Sequence, residues 1–283
     1  VDIKLQTFLT LCDTMNYHAA ADLLHLTQPA VTRQIQALEA EYRTHLFRYC
    51  GRQLSLTEAG CTLEQYARSI QYNYETLRQA MSHAKRHHLR IGATKTIGEY
   101  VLPDAVLHFA ANPQHEMTLI VDNTAHLLHL LDRNELDFLV LEGVFDKQRY
   151  GWMPFRSEPF IGICAPEHPF AGQEVPLQEV LQESLIVREP GSGTRDILER
   201  QLHLCGYQTT AFRRVLTISS FPLIRRLIAA QHGISFLYQA VVDADPTFAH
   251  FTASPLTGTH EFHIVYLPQT KASQYAEEFF SYP

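Results

Sequence analysis

The stretch Ala19-Ala20-Ala21-Asp22-Leu23-Leu24-His25-Leu26-Thr27-Gln28-Pro29-Ala30-Val31-Thr32-Arg33-Gln34-Ile35-Gln36-Ala37-Leu38-Glu39 decides how this chain is read. Its first part has the pattern of a short helix from His18, with small alanines where a second helix can cross closely, and His25-Leu26 then makes a turn. Thr27 is placed as an N-cap ahead of Pro29, which sits in the first helical turn where its missing N–H costs nothing. Val31, Ile35, Leu38 and Tyr42 recur at spacings of four, three and four and predict one buried stripe. The other face presents Gln28, Thr32, Arg33 and Gln36. Two short helices joined by a tight turn, the second with polar side chains near its start, fit a helix-turn-helix. Gln and Arg can read base edges, and free N–H groups at a helix start can face phosphate. By pattern alone, an αα-hairpin inside an ordinary helical domain fits as well.

The residues that follow favour the first alternative. Leu46-Phe47, Arg48-Tyr49-Cys50-Gly51-Arg52-Gln53 and Leu54-Ser55-Leu56 read as a β-hairpin turning near Gly51. A hairpin in that place is a wing, and Arg48 and Arg52 are its candidates for backbone phosphates, with solvated surface arginines as the alternative. Thr57 then caps a long helix whose first turn carries Glu58. Leu63, Tyr66, Ile70, Tyr74, Leu77, Met81 and Ala84 recur at threes and fours along it, close to a heptad seam. Run to Arg86, this helix would be about 45 Å long. A narrow apolar stripe on so long a helix is expected to bury itself against a second copy, and packing on the chain's own second domain is the alternative.

Composition sets the frame. With 283 residues there is room for two domains, or three small ones, and 46% hydrophobic residues exclude wholesale disorder. No apolar run approaches the ~18–20 residues of a bilayer crossing. Val1-Asp2-Ile3-Lys4 opens directly into an amphipathic pattern without signal-peptide architecture, so a soluble, cytoplasmic protein without a membrane partner is expected. The net charge of −7 is unevenly spread: residues 1–90 carry ten basic and eight acidic side chains, which leaves −9 for the remainder. That split suggests two modules with different partners, although +2 is weak support for nucleic acid. The five cysteines are scattered and contain no C-x-x-C, which argues against a disulfide framework and a structural zinc. Phosphate-loop, full dinucleotide, nucleophile-elbow and zinc-protease motifs are missing, so nothing recruits a nucleophile or metal, and neither an enzyme nor a cofactor is expected.

Residues 89–283 alternate strand-like and helix-like runs. The strands are expected at 89–93, 117–121, 138–141, 160–165, 184–188, 234–237 and 262–267, and the helices at 98–111, 125–132, 194–205, 221–231 and 271–280. This is α/β patterning with mainly parallel pairing expected. Ligands in such sheets sit at the carboxyl ends of strands near helix starts. The rule selects Thr94, Lys95, Thr96 and Ile97, then Asn123 and Thr124, then Glu142, then Ser192, Gly193 and Thr194, and finally Ser219 beside Ser220. For Thr94, Thr96, Thr194 and Ser219, plain helix capping is the alternative.

Taken together, these residues resemble a LysR-type transcriptional regulator. The resemblance rests on the stretch from Ala19 to Glu39, on Leu46-Phe47, Gly51-Arg52 and Leu56-Thr57-Glu58-Ala59-Gly60, and on motifs of the second half. Those motifs are Leu89-Arg90-Ile91-Gly92-Ala93, Asn134-Glu135-Leu136-Asp137, Pro166-Glu167-His168-Pro169 and Arg188-Glu189-Pro190-Gly191-Ser192-Gly193-Thr194-Arg195. Within the family the chain is most similar to the group carrying Thr-x-Thr-Ile-Gly-Glu-Tyr, which includes regulators of sulfur assimilation and carbon fixation.

The resemblance implies a winged helix-turn-helix over 1–58, a linker and dimerisation helix over 59–88, and an effector domain over 89–283. The last would be a two-lobed α/β domain of the periplasmic-binding-protein type 2 kind, with lobes 89–161 plus 268–283 and 162–267. It also implies a homodimer assembling into a homotetramer, binding to double-stranded promoter DNA, and control by a small anionic or polar co-inducer held between the lobes. RNA polymerase is a candidate partner. The sequence departs from the family at Arg43, where Gly is common, at Tyr49, where Arg is common, and at Gln231-His232, where Gly-Leu is usual. Two features remain beside this reading. A redox pair of Cys164 and Cys205 would make the same DNA-binding head a thiol sensor, and His83, His87 and His88 form a solvated face rather than a metal site.

Overall fold

The computed structural model describes residues 2–81, 88–243 and 247–281. The chain divides into two compact units, one of residues 1–87 with 132–134 and 267–272, the other of the remainder.

The first unit opens with α1 (Ile3–Thr14), α2 (Tyr17–Leu24) and α3 (Gln28–Tyr42). Local chemistry sets each boundary. Asn16 Oδ1 accepts from His18 N at 2.9 Å and Ala19 N at 3.2 Å, which starts α2, and His25 ends it in the left-handed region at φ 54°. Thr27 Oγ1 accepts from Ala30 N at 3.4 Å at the head of α3, as its position in the sequence predicts. Arg43, where the family commonly has glycine, takes the left-handed C-cap conformation at φ 53°. A side chain is tolerated there at some cost, so the departure changes the residue and keeps the helix end.

Val31, Ile35 and Leu38 are buried with Phe8, Leu11, Ala20 and Leu46 in the core of this unit. Tyr42 is not: it is 49% exposed, because the stripe runs past the end of that core. The wing is the antiparallel pair β1 (Phe47–Cys50) and β2 (Gln53–Leu56), turning at Gly51-Arg52. Next comes α4 (Glu58–Met81), with Gly60 N donating to Thr57 Oγ1 at 3.0 Å. A Cβ on Gly60 would lie 2.1 Å from the Leu46 carbonyl oxygen, so only glycine lets the first turn of α4 pack on the chain entering the wing. Ala84 and Arg86, the final positions of the expected seam and helix, lie outside the described residues, as do His83 and His87.

The second unit begins with β3 (His88–Thr94), α5 (Lys95–Tyr100), α6 (Pro103–Ala110), β4 (Glu116–Asp122), α7 (Thr124–Asp132) and β5 (Phe138–Leu141). The single helix expected over 98–111 is two helices, because Pro103 cannot continue α5 and instead starts α6. A long strand, β6 (Gly151–Cys164), leads to α8 (Leu177–Val180), β7 (Ser184–Val187), α9 (Gly193–Leu204), β8 (Arg214–Thr217) and α10 (Phe221–Ala229). The unit closes with β9 (Ser235–Tyr238), α11 (Gln239–Asp243), β10 (Ala249–Phe251), β11 (Gly258–Tyr266) and α12 (Ala272–Phe280).

Pairing is mixed rather than mainly parallel. β3 pairs in parallel with β4 and β5, and β7 with β8, whereas β11 runs antiparallel to β5 and β6, and β6 to β9 and β10. The long strand β6 explains this. Its first part lies against β11 in one lobe, and its end lies against β9 and β10 in the other. Isoleucines alternating on β6, Ile161 and Ile163, pack under Ile224 and Ile228 of α10, while Phe160 and Cys164 face the opposite core. Gln231, at the other family departure, again takes a left-handed conformation, φ 57°, in place of glycine.

Candidate functional site

On α3 the expected reading face is open. Gln28, Pro29, Arg33 and Gln36 are exposed and Thr32 is half-buried, its hydroxyl donating to the Gln28 carbonyl at 3.0 Å. Arg48 and Arg52 are exposed on the wing. The seam of α4 is open too: Tyr66, Ile70, Tyr74, Leu77 and Met81 are each 45% exposed or more, whereas Leu63 is half-buried against the unit's own core. A groove lined by Leu5, Tyr42, Leu63, Tyr66 and Ile70 runs along the same face, so Tyr42 belongs to this surface and not to the core.

In the second unit the loops selected from the sequence meet in part. Thr94 closes β3, Glu142 follows β5, and Thr194 lies in the first turn of α9. The Thr94 hydroxyl donates to Glu142 Oε2, and Thr194 Oγ1 reaches Glu142 Oε1 at 3.4 Å and Thr96 Oγ1 at 3.3 Å. All four side chains are at least 98% buried. The capping alternative does not hold for Thr94, whose hydroxyl makes no capping bond at α5, and Ser192 rather than Thr194 is the N-cap of α9. Gly193 has no room for a side chain, since a Cβ would lie 2.4 Å from the Glu142 carbonyl oxygen.

The remaining selected residues sit around this cluster or apart from it. Lys95 Nζ donates to Glu189 Oε1 at 3.2 Å and to the Ser219 carbonyl at 3.3 Å, while the Ser219 side chain is exposed and Ser220 is the N-cap of α10. Ile97 is a core side chain. Asn123 does what a cap does, its Oδ1 accepting from His126 N at 2.9 Å, and the buried Thr124 hydroxyl has no hydrogen-bond partner among the described residues.

Arg188 and Tyr238 were not selected from the sequence. Arg188 is buried, donates to Glu189 at 2.9 and 3.0 Å, and lies 4.4 Å over the Phe221 ring. It stands inside the quoted Arg188–Arg195 motif, so the signal was present. Tyr238 is completely buried and its hydroxyl lacks a hydrogen-bond partner among the described residues. Burial drives its phenol well above the ordinary value, and the Glu142 carboxyl pushes the same way.

The electrostatics of the cluster are asymmetric. Burial alone would raise the Glu189 carboxyl, but hydrogen bonds from Arg188 and Lys95 hold it below the usual range. For Glu142, burial outweighs the hydrogen bond from Thr94 and raises its pKa. A raised carboxyl makes the folded domain bind more protons than the unfolded chain between the two pKa values, so stability falls as pH rises through that window. The penalty is fully in force above it. Glu142→Gln cannot ionise, so at neutral pH it is expected to melt higher, by roughly 2–4 °C per kcal/mol relieved, with a flatter pH profile. Thermal melts of both proteins from pH 4 to 8 measure this, and parallel profiles would refute it.

Residues 4–61 match the profile described as "Bacterial regulatory helix-turn-helix protein, lysR family", and residues 82–282 match "LysR substrate binding domain". The chain belongs to the LysR family of transcriptional regulators. It is 34% identical over 205 residues to the RuBisCO operon transcriptional regulator of Allochromatium vinosum, covering 70% of this chain and 67% of that one. The likeness to carbon-fixation regulators is thereby found in a protein of that kind. In fold, it matches a cysteine mutant of Corynebacterium glutamicum OxyR bound to hydrogen peroxide, with a TM-score of 0.62 and 24% identity over 98% of this chain and 89% of that one. It also matches the regulatory domain of Synechocystis CcmR in complex with 2-PG, with a TM-score of 0.60 and 23% identity, over 69% of this chain and 96% of that one. As a LysR-type regulator the chain combines a DNA-binding winged helix-turn-helix with a two-lobed effector-binding domain. No helix among the described residues is long and apolar enough to cross a membrane.

Proposed function

We propose that this LysR-type regulator works in the cytoplasm as a homotetramer built from dimers, and that a small anionic or polar co-inducer between its lobes controls its binding to promoter DNA. The single observation behind the effector site is the convergence of the Thr94 and Thr194 hydroxyls on Glu142, with Thr96 Oγ1 against Thr194, where neither Thr94 nor Thr194 spends its hydroxyl on a helix cap. Ser192, Gly193 and Lys95 border it, with Asn123 and Ser219 on the surrounding loops, Thr124 at the head of α7 and Ile97 in the core beneath α5. A ligand that prefers one closure of the lobes shifts the equilibrium by its differential affinity alone. Neither a cofactor nor catalysis enters this reading, and the output passes to RNA polymerase at the promoter. A thermal-shift screen with small anions, repeated on Thr94→Ala/Thr96→Ala, tests it. A shift lost in the variant supports a cleft ligand, and one indifferent to the variant contradicts it.

On DNA, Gln28, Pro29, Thr32, Arg33 and Gln36 enter the major groove, and Arg48 and Arg52 hold phosphates. Arg33→Ala is expected to weaken specific binding by about 1–3 kcal/mol while leaving random DNA nearly unaffected, as competition binding to both duplexes would show. Equal losses on the two would refute base readout. The thiol-sensor alternative is disfavoured by Cys164, which is completely buried and has its thiol pushed up to about 11 by that burial. Cys205 is half-buried with its Sγ donating to the Gln201 carbonyl at 3.0 Å.

A further inference from the structure

The effector unit holds a pocket that shares no side chain with the Thr94–Glu142–Thr194 cluster. It measures about 560 Å³, within the range of ordinary small-molecule sites. The loop after Glu142, at Gly143–Phe145 and Lys147, forms one wall, α9 supplies Ile197, Arg200 and Gln201, and β11 contributes Thr259–Glu261 and His263. Two cations therefore face one carboxylate, and that carboxylate, Glu261, is 60% exposed on its side chain and sits 3.6 Å from His263 Nε2. Arg200 makes no close ion pair among the described residues, and Asp196, one helical turn before it, attracts it at longer range.

The floor of the pocket is polar. His263 is 94% buried, and its Nδ1, like Nε2 of His260, is buried with no hydrogen-bond partner among the described residues. Lys147 Nζ lies 3.2 Å from His263 Nε2, so the neutral ring accepts there and carries its proton on Nδ1. Burial and the neighbouring Lys147 both lower the His263 pKa, and burial with Arg200 lowers that of His260. Val144, Phe145 and Ile197 give the same pocket an apolar side.

We propose that this pocket binds a small organic anion, a phosphate or carboxylate head on an apolar body, apart from the Thr94–Glu142–Thr194 cluster. The head pairs with Arg200 and Lys147, while the body lies on Phe145 and Ile197. Because the Gly143–Lys147 loop continues directly from Glu142, and α9 begins at Gly193, an occupant bears on the two segments that meet at the cleft. This goes beyond the co-inducer reading and does not depend on it.

Trp152 is the chain's one tryptophan, and Lys147 Nζ sits 4.0 Å over its ring, so its emission reports on Lys147. The full-length protein is titrated with phenyl phosphate, with phenylacetate, and with inorganic phosphate as the head alone. A saturable emission change with either organic probe is expected, with affinity falling about tenfold or more in Arg200→Gln, because a charge-assisted pair is lost. Inorganic phosphate is expected to bind more weakly, and the better organic probe identifies the head group. Thr94→Ala/Thr96→Ala is expected to titrate like the parent. Arg200 is exposed on α9, so the variant should fold, and Lys147→Gln followed by calorimetry gives an independent reading. No saturable change with either organic probe, a response unaffected by Arg200→Gln, or one lost in the Thr94/Thr96 variant would overturn the proposal.

Discussion

Ile70→Glu is expected to convert the protein to a monomer and to cost it most of its affinity for a two-half-site duplex. Ile70 is 50% exposed at the middle of the α4 seam, between Tyr66 and Tyr74. In a single chain, a glutamate there meets water and should change folding by no more than about 0.5 kcal/mol. In a symmetric seam the same change buries two unpaired carboxylates, each costing several kcal/mol. Losing the second head also removes the effective concentration that joins two weak contacts, an advantage of roughly 10²–10⁴ in affinity. Sedimentation should show a monomer with parental circular dichroism, and binding to a single half-site should be nearly unchanged. A variant that stayed dimeric would place the interface elsewhere and return the seam to an intramolecular role.

Gly193→Ala is the second large effect, and it acts on the effector response. The added methyl would lie 2.4 Å from the Glu142 carbonyl oxygen and 3.0 Å from Glu142 Cγ. Backbone at that distance has to move, and forced methyl groups in packed sites cost about 1–3 kcal/mol. The strain falls on the contact between the Glu142 loop and the start of α9, so parting those two segments relieves it. A ligand that needs them together then pays the difference, which at 1.4 kcal/mol per factor of ten raises its dissociation constant about five- to 150-fold. DNA binding without ligand should be close to parental. An unchanged ligand response would show that Gly193 is packed for stability alone.

How much of this was legible in the sequence varied with the range of the interaction that decides each feature. The start of α3 was legible because Thr27 and Pro29 act within one turn, and so was the wing around Gly51. Tyr42 was misplaced because periodicity says which face a residue is on and not where the core stops. The strands β8 and β10 were not anticipated. Arg214–Thr217 and Ala249–Phe251 are short and largely uncovered, without the continuous buried apolar run that marks the equally short β5, β7 and β9. Antiparallel pairing along β6 was hidden for a different reason: partners such as Gly258 and Phe160 are far apart in sequence, so only the folded sheet reveals them. Thr94, Glu142 and Thr194 were each picked from strand and helix ends. That their side chains choose one another over local caps depends on contacts 48 and 52 residues apart. Arg188 was passed over because an arginine beside a glutamate in sequence resembles a surface pair, whereas burial under Phe221 makes it part of the site.

In the proposed assembly, two copies of this head, joined through α4, read DNA as a symmetric pair. Selection of bound duplexes from a random-sequence pool with the full-length protein tests it most directly. The expected result is enrichment of two inverted half-sites, centred about one helical turn or a multiple of it apart, with enrichment lost in Ile70→Glu. Enrichment of one short unsymmetric sequence, or of none, would contradict it.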